Sequence, residues 1–412
     1  MGLGIFPRVF RAAVALAALS VAFPAAAGPS IVVDLEDGRV LAAEQATHPW
    51  FPASLTKLMT TYVVLRAIEA GEIDFDSPIE MTTRAANEPP SKMGYPVGSL
   101  LRVDNAIRIL MVRSANDVST AIAENVGGSV DGFVARMNAE AQRLGMAGTR
   151  FANAHGLHSD LQYTTARDMA LLAMAIRRDF PEHAELFGLE ALSVGGNIMP
   201  NHNDLIGRFV GADGMKTGYT CPSGFNLTAS ATRGGRTLVA VVLGAFSPDE
   251  RADAAADLLA RGFGVDAADK PTVWSFEDEG AVPEAAPNLR SIVCTEEAHK
   301  RRAERRGDAT GPVYVSPHMA ELTRDREAVE VGLGGTEGPV MRRFANVPIP
   351  RFRPDRGTET GAETVSSPVA EAVTEPVGEA QPASRTSATG EPIPPIPLAR
   401  PDRRPESSSV GG

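Results

Sequence analysis

The spacing of apolar positions changes period several times along the chain, and each change marks an element. Ser30 to Leu35 is dense in aliphatic and β-branched residues, Asp37-Gly38 is a tight-turn signal, and Arg39 to Glu44 continues as a second strand. After Pro52 a helical run extends from Ser54 to Ala70, with Gly71 placed to cap its C-terminus. Leu55, Leu58, Met59, Tyr62, Val63, Leu65 and Ile68 wrap most of its circumference. A helix that is apolar nearly all round is buried, so Ser54 opens a central helix at the end where backbone N–H groups point outward.

Further helical periods run over Asp104 to Arg113, Val118 to Val126, Val130 to Leu144 and Thr165 to Arg178. Met215 to Tyr219, Asn226 to Thr232 and Thr237 to Ala245 read as strands, the last two joined by a Gly234-Gly235 hairpin turn. Pro248 to Gly262 reads as a closing helix. The order is two strands, many helices, three strands and one helix. It predicts one antiparallel sheet, built from both ends of the domain and packed on a helical cluster, an α/β (α+β) fold.

Past Val265 the pattern weakens. Residues 265–345 are mixed, with short β-like pieces at Thr272-Val273-Trp274 and Val313-Tyr314-Val315. Residues 346–412 are rich in Pro, Glu, Ser, Thr and Ala and poor in large apolar residues, so they are expected to be a disordered tail. Within that tail Pro348-Ile349-Pro350-Arg351-Phe352-Arg353-Pro354-Asp355-Arg356 is echoed by Pro395-Ile396-Pro397-Leu398-Ala399-Arg400-Pro401-Asp402-Arg403, a repeat that suits an extended polyproline spacer better than a docking motif.

At the other end, Arg8 and Arg11 precede an apolar run from Ala12 to Phe23, and Ala25-Ala26-Ala27 fits a cleavage site. Residues 1–27 therefore read as a signal peptide, residues 28–264 as the catalytic-size domain, and the protein as exported. The formal charge of −11 over 412 residues argues against nucleic acid and anionic membrane as general partners. In an exported chain the only two cysteines, Cys221 and Cys294, are a candidate disulfide.

Three short motifs carry the chemistry: Ser54-Leu55-Thr56-Lys57, Ser114-Ala115-Asn116 and Lys216-Thr217-Gly218. Each is weak alone. An N-capping serine with a surface lysine explains the first, ordinary N-cap chemistry the second, and a strand end the third. In this order and together they supply the parts of an acyl transfer. Ser54 and Lys57 share a helix face. A serine hydroxyl needs a base, and Lys57 can be that base only if neutral, a state favoured by burial and by a second cation such as Lys216. Ser114 and Asn116 sit at a helix junction that can aim a hydroxyl and an amide into a cleft. Gly218 removes a side chain where a bound peptide can add to a strand edge, with Lys216 and Thr217 toward its terminal carboxylate.

Residues from about Ser30 to Gly264 resemble the low-molecular-mass penicillin-binding proteins, serine-type D-alanyl-D-alanine carboxypeptidases of peptidase family S11. The resemblance extends beyond the motifs, to Pro52 through Thr60, to Phe151-Ala152-Asn153-Ala154-His155-Gly156-Leu157, to Thr165 through Ala170, and to Asp213 through Gly218. It implies a penicillin-binding-protein/β-lactamase-like fold, with an antiparallel five-stranded sheet on a helical cluster. It implies Ser54 as nucleophile, Lys57 as base and Ser114 as proton relay. Asn116, Lys216, Thr217, Gly218 and Tyr219 would bind substrate, with the oxyanion between the Ser54 and Tyr219 N–H groups, and Arg251 would meet the substrate carboxylate. No cofactor or metal is implied. The implied partners are peptidoglycan stem peptides, with β-lactams as covalent inhibitors and no nucleic acid.

The chain departs from the family pattern in three places. Tyr219 stands where a His is familiar, His202 stands where relatives often carry Arg, and the part after Gly264 does not resemble the β-rich second domain and amphipathic anchor of some relatives. A soluble periplasmic protein without a stable membrane anchor is the expectation. A class A β-lactamase would need a deacylating glutamate that has no convincing candidate between Ala115 and Lys216. The scattered histidines, with no H-E-x-x-H, argue against a metallopeptidase. A D,D-endopeptidase cutting cross-links and a catalytically silent cell-wall-binding protein stay open as alternatives.

Overall fold

The computed structural model describes residues 28–339, apart from Glu279, Asp308, Thr310 and Gly311; the expected signal peptide and the Pro-rich tail lie outside the described residues. The chain opens with β1 (Ser30–Asp34) and β2 (Val40–Glu44), then a single 3-10 turn (Ala53–Leu55) that leads into α1 (Thr56–Glu69). A helical stretch follows, with β3 (Pro78–Glu80), α2 (Thr83–Ala86), β4 (Leu100–Arg102), α3 (Val103–Val112), α4 (Asn116–Gly127), α5 (Val130–Arg143) and α6 (Ala166–Asp179). Next come the hairpin of β5 (Ala191–Val194) and β6 (Asn197–Pro200), the long strands β7 (Ala212–Thr220), β8 (Gly224–Arg233) and β9 (Arg236–Ala245), and helix α7 (Pro248–Phe263). The described chain finishes with α8 (Arg290–Val293), α9 (Glu296–Arg306) and β10 (Ala328–Glu330).

Five strands form one sheet in the order β2-β1-β9-β8-β7. Every neighbouring pair is antiparallel. The first two strands and the last three meet where β1 pairs with β9, Ser30 opposite Val242 and Asp34 opposite Leu238. This joins the two ends of the domain, as the order of apolar periods predicts. Both faces of the sheet are covered. On β9, Val239, Val241 and Leu243 face the helical cluster with Leu58, Met59 and Tyr62 of α1. The alternate residues Leu238, Ala240 and Val242 face Ala252, Ala255, Ala256 and Leu259 of α7. The two-residue period of a strand is what divides one apolar run between two cores.

Helix starts follow local chemistry. The side chains of Ser129, Thr165 and Ser247 each accept the N–H three residues on, capping α5, α6 and α7. The segment around Ser54 is different, because Ser54 lies in the 3-10 turn rather than at the head of a continuous helix. Ala53 has φ of +48°, which no right-handed helical residue adopts.

The described residues after Gly264 run around the domain. Val273 is fully buried and its N–H donates to Gly38 O at 2.8 Å. A disulfide ties Cys294 to Cys221 at the end of β7, with a sequence separation of 73. Val313-Tyr314-Val315, read from sequence as β-like, is not a strand. The N–H groups of Val315 and Ser316 instead donate to the Asp253 carboxylate on α7, at 3.1 and 3.0 Å. Farther on, β10 pairs in parallel with β5, Ala328 opposite Ala191. Strands of three or four residues such as β10 and β5 carry too few alternations to be read from sequence. No helix among the described residues is long and apolar enough to cross a membrane.

Because the disulfide closes a loop between the sheet and the following chain, its removal is expected to act mainly through the unfolded state. The double variant Cys221→Ser/Cys294→Ser should lose about 2–5 kcal/mol in urea unfolding. A variant as stable as the wild type would show that the bridge contributes nothing.

Candidate active site

Ser54 is held in place by backbone contacts on every side. Before it, Trp50 N donates to Thr164 O at 2.7 Å and its indole N–H to Ser223 O at 2.8 Å. The buried Asn226 on β8 donates its amide to Phe51 O and Pro52 O, at 2.9 and 3.2 Å, while its own oxygen accepts Gly244 N–H. Gly218 on β7 lies so close that a Cβ there would come within 3.0 Å of both Pro52 O and Ser54 N. Gly156, at φ +88°, leaves no room either, since its Cβ would sit 1.9 Å from Ala53 O. The strained Ala53 persists because these neighbours over-determine it.

The loop that carries Gly156 is shaped by one side chain. Asn153 Oδ1 accepts Gly156 N–H at 2.7 Å and its amide donates to Leu157 O at 3.0 Å. The turn this closes points two carbonyls inward. Ala154 O accepts Thr60 of α1 and Ser119 of α4, both at 2.6 Å. His155 O accepts the Lys57 amine.

Lys57 is fully buried, one helical turn from Ser54. Its Nζ lies 3.2 Å from Ser54 Oγ and donates to Asn116 Oδ1 at 2.8 Å and to His155 O. The Asn116 orientation is set by its amide, which donates to Pro89 O at 3.0 Å. Burial pushes Lys57 well below the ordinary lysine range, with the nearby Lys216 cation adding to it against the opposing pull of Asp117 and Glu88. A neutral amine has two N–H groups and one lone pair. Asn116 Oδ1 and His155 O can only accept, so they take both N–H groups. The lone pair is left facing the Ser54 hydroxyl.

Around this centre the proton affinity of the other basic groups is lowered as well. Lys216 is buried, donates to Thr217 O at 2.9 Å, and is lowered to about 7 by burial and then by Arg251. His155 is lowered to about 3 by burial, Lys57 and Arg84. Its Nδ1 accepts Leu157 N–H, so the neutral ring carries its proton on Nε2, 3.7 Å from the Glu88 carboxylate. His202 is lowered to about 4, by burial first and then by Lys216, Arg251 and Arg113.

A cleft of about 560 Å³ opens over these groups. Ser54, Ser114, Asn116, Thr217, Gly218, Tyr219 and Arg251 line it, so seven of the site residues singled out from sequence converge there. Lys57 and Lys216 lie buried beside it. Ser114 adopts φ of +60°, and its buried Oγ has no hydrogen-bond partner among the described residues. Strand β7 forms one wall and is the edge of the sheet, with its other side paired to β8. The Tyr219 side chain stacks on Phe225, with ring centroids 4.2 Å apart. Arg251 donates to His202 O at 3.0 Å and lies 3.9 Å from Asp204. Sequence reasoning missed Asn226 and the carbonyl of His155. Neither left a signal of its own: Asn226 is one of several polar residues on β8, and every residue has a carbonyl.

A family model described as D-alanyl-D-alanine carboxypeptidase matches residues 16–247. The chain is 38% identical over 240 residues to D-alanyl-D-alanine carboxypeptidase DacC of Escherichia coli strain K12, a match covering 57% of this chain and 60% of that protein. It thus spans under two thirds of the length of this relative. Penicillin-binding protein 5 from Haemophilus influenzae superposes with a TM-score of 0.56 and 34% identity, over 58% of this chain and 71% of that one. Penicillin-Binding Protein D2 from Listeria monocytogenes, in its cefotaxime-bound form, superposes with a TM-score of 0.53 and 28% identity, over 58% and 97% of the two chains.

The two depressed histidines make the stability depend on pH with a defined sign. Between the ordinary 6.5 and their folded values of about 3 and about 4, the unfolded chain binds protons that the folded chain does not. Stability should therefore fall as pH drops through that window, by up to ~1.4 kcal/mol per pH unit for the largely buried His155 and by less for His202, which is exposed to solvent. Urea unfolding of wild type and His155→Gln between pH 7 and 4.5 checks this. Parallel pH profiles would mean that His155 is not held neutral.

Proposed function

The chain belongs to the S11 family of D-alanyl-D-alanine carboxypeptidases, and from that premise we propose that it removes the terminal D-alanine from peptidoglycan pentapeptides through a Ser54 acyl-enzyme. The observation that carries the reading is the buried Lys57, with both its N–H groups given to carbonyl acceptors and its nitrogen 3.2 Å from Ser54 Oγ. That is the arrangement a serine needs to lose its proton.

In this reading a peptide lies along the edge of β7. Ser54 Oγ attacks the carbonyl of the penultimate D-alanine and Lys57 takes the hydroxyl proton. The Ser54 and Tyr219 N–H groups hold the oxyanion, a contribution that is large in acyl transfer because the donors are already aligned. Ser114 Oγ, free of internal partners among the described residues, passes a proton to the leaving amine. Asn116 keeps Lys57 oriented and meets the substrate amide. Lys216, Thr217 and Arg251 face the terminal carboxylate. Water then repeats the sequence on the ester and releases the shortened peptide. β-Lactams would acylate the same serine, a reading supported by the cefotaxime-bound relative. The working place would be the periplasm, reached by way of a cleaved signal peptide of residues 1–27.

The test is D-alanine release from a pentapeptide ending in D-Ala-D-Ala, run beside cross-linked muropeptide dimers. Ser54→Ala should abolish release and fluorescent penicillin labelling, and Lys57→Ala should slow acylation by about 10²- to 10⁴-fold. Cleavage of the dimers alone would make the enzyme an endopeptidase. Penicillin labelling without either product would remove hydrolysis from the proposal, and absence of all three would leave a silent binding protein.

The domain division is proposed with it, residues 28–264 carrying the chemistry and residues 346–412 a dispensable tail. A chain ending at residue 345 should label with penicillin at the wild-type rate; loss of labelling would place part of the site's support in the tail.

A further inference from the structure

One wall of the cleft comes from outside the span of the family model, which ends at residue 247. Arg326, in the segment just before β10, lines the same 560 Å³ cleft as Ser54, Thr217 and Arg251. Its Nη1 is buried and has no hydrogen-bond partner among the described residues. A buried guanidinium N–H left without an acceptor is costly, and a ligand oxygen would satisfy it.

The surrounding chain is fastened on both sides of this residue. Arg324 makes a two-pronged contact with the Glu190 carboxylate, Nη1 to Oε2 at 2.8 Å. Glu327 N–H donates to the same Oε2 at 2.9 Å. Immediately after, Ala328–Glu330 pairs with β5, and Val331 N–H continues the ladder onto Ser193 O at 2.9 Å. Glu190, an acidic group within electrostatic reach of Arg326, is thus occupied by Arg324 and by a backbone N–H. Its backbone O also accepts Asn201 N–H, which ties the chain entering His202 to the same hub.

The charges on that wall make the role specific. His202 is neutral above about pH 4. Arg251 already gives an N–H to His202 O and faces Asp204 at 3.9 Å. Of the two arginines that line the cleft, Arg326 is then the one with no acidic partner in hydrogen-bond or ion-pair contact among the described residues. A planar guanidinium matches a carboxylate with two parallel N–H donors.

We propose that Arg326, carried in by the C-terminal segment, is a specificity-determining residue that binds the C-terminal carboxylate of the peptide substrate. The proposal rests on reading the cleft as a D-Ala-D-Ala peptide site. Cleavage of a peptide with a free terminal carboxylate should therefore depend on a residue that the family model does not reach.

The experiment compares the wild type, Arg326→Gln and Arg326→Lys in the full mature chain, with matched circular dichroism and urea midpoints as the folding control. The substrates are an acylated D-Ala-D-Ala peptide and its C-terminal amide. On the free acid Arg326→Gln should raise KM by about 10- to 100-fold, with kcat within about twofold, and Arg326→Lys should recover part of the loss. On the amide, all three should be alike. An unchanged KM on the free acid, or an equal loss on acid and amide, overturns the proposal.

A parallel arm follows acylation of Ser54 by benzylpenicillin and by its methyl ester, which separates this inference from the assigned reaction. Should the wild type be acylated without releasing D-alanine, the carboxypeptidase reading fails. Slower acylation of Arg326→Gln by the acid alone then upholds the role of Arg326, and equal rates overturn it. A wild type inert in both assays overturns both.

Discussion

The site depends on keeping one lysine neutral inside the protein. An ammonium buried as deeply as Lys57 would be strongly penalised, and the protein resolves this by lowering its proton affinity rather than by pairing it with a contacting carboxylate. Asp117 and Glu88 pull in the opposite direction, yet burial and Lys216 prevail. Asp117 is itself committed elsewhere, accepting the N–H groups of Met93 and Gly94. With both amine hydrogens consumed by Asn116 and His155 O, the lone pair has a single direction left, toward Ser54. Orientation is thus set by these contacts, while the lowered proton affinity comes from burial and Lys216.

Those contacts need backbone placed to within a few tenths of an ångström, and the packing provides it. Gly156 and Gly218 press on the turn at Ala53–Leu55 from two sides, Gly156 at a distance no Cβ would tolerate and Gly218 at one where a Cβ would be tight. Asn226 reaches from the sheet to hold the two carbonyls that precede it. The helical cluster and the sheet therefore meet at Ser54, and neither could move there without breaking buried hydrogen bonds of the other. The strain at Ala53 is the local cost of that meeting point.

The chain beyond α7 gives the domain a second kind of support. It returns to β7 through the Cys221–Cys294 disulfide, to α7 through Asp253, and to β5 through β10. Each attachment lies on an element that also borders the cleft or carries a cleft residue. Arg251 sits on α7, Tyr219 precedes Cys221 by two residues, and the β5–β6 hairpin leads into His202. A segment with little apolar periodicity of its own is held by these polar and covalent ties together with single buried anchors, Val273, Val293 and Val331.

What could be read in advance follows from the range of the forces involved. Apolar period is local, so α1, α3 to α7 and the five long strands were legible, and the two-ended sheet followed from their order. The S-x-x-K, S-x-N and K-T-G motifs are also local and named Ser54, Lys57, Ser114, Asn116 and Lys216. The 3-10 turn at Ser54 was not legible, because it is imposed by Gly156 and Gly218 from distant parts of the chain. Nor was the acceptor His155 O, since every residue has a carbonyl and only the Asn153 turn aims this one. Arg326 stood in a stretch without periodicity or motif. Its place in the cleft comes from a three-residue parallel pairing and from Glu190, contacts more than a hundred residues apart that only the folded chain brings together.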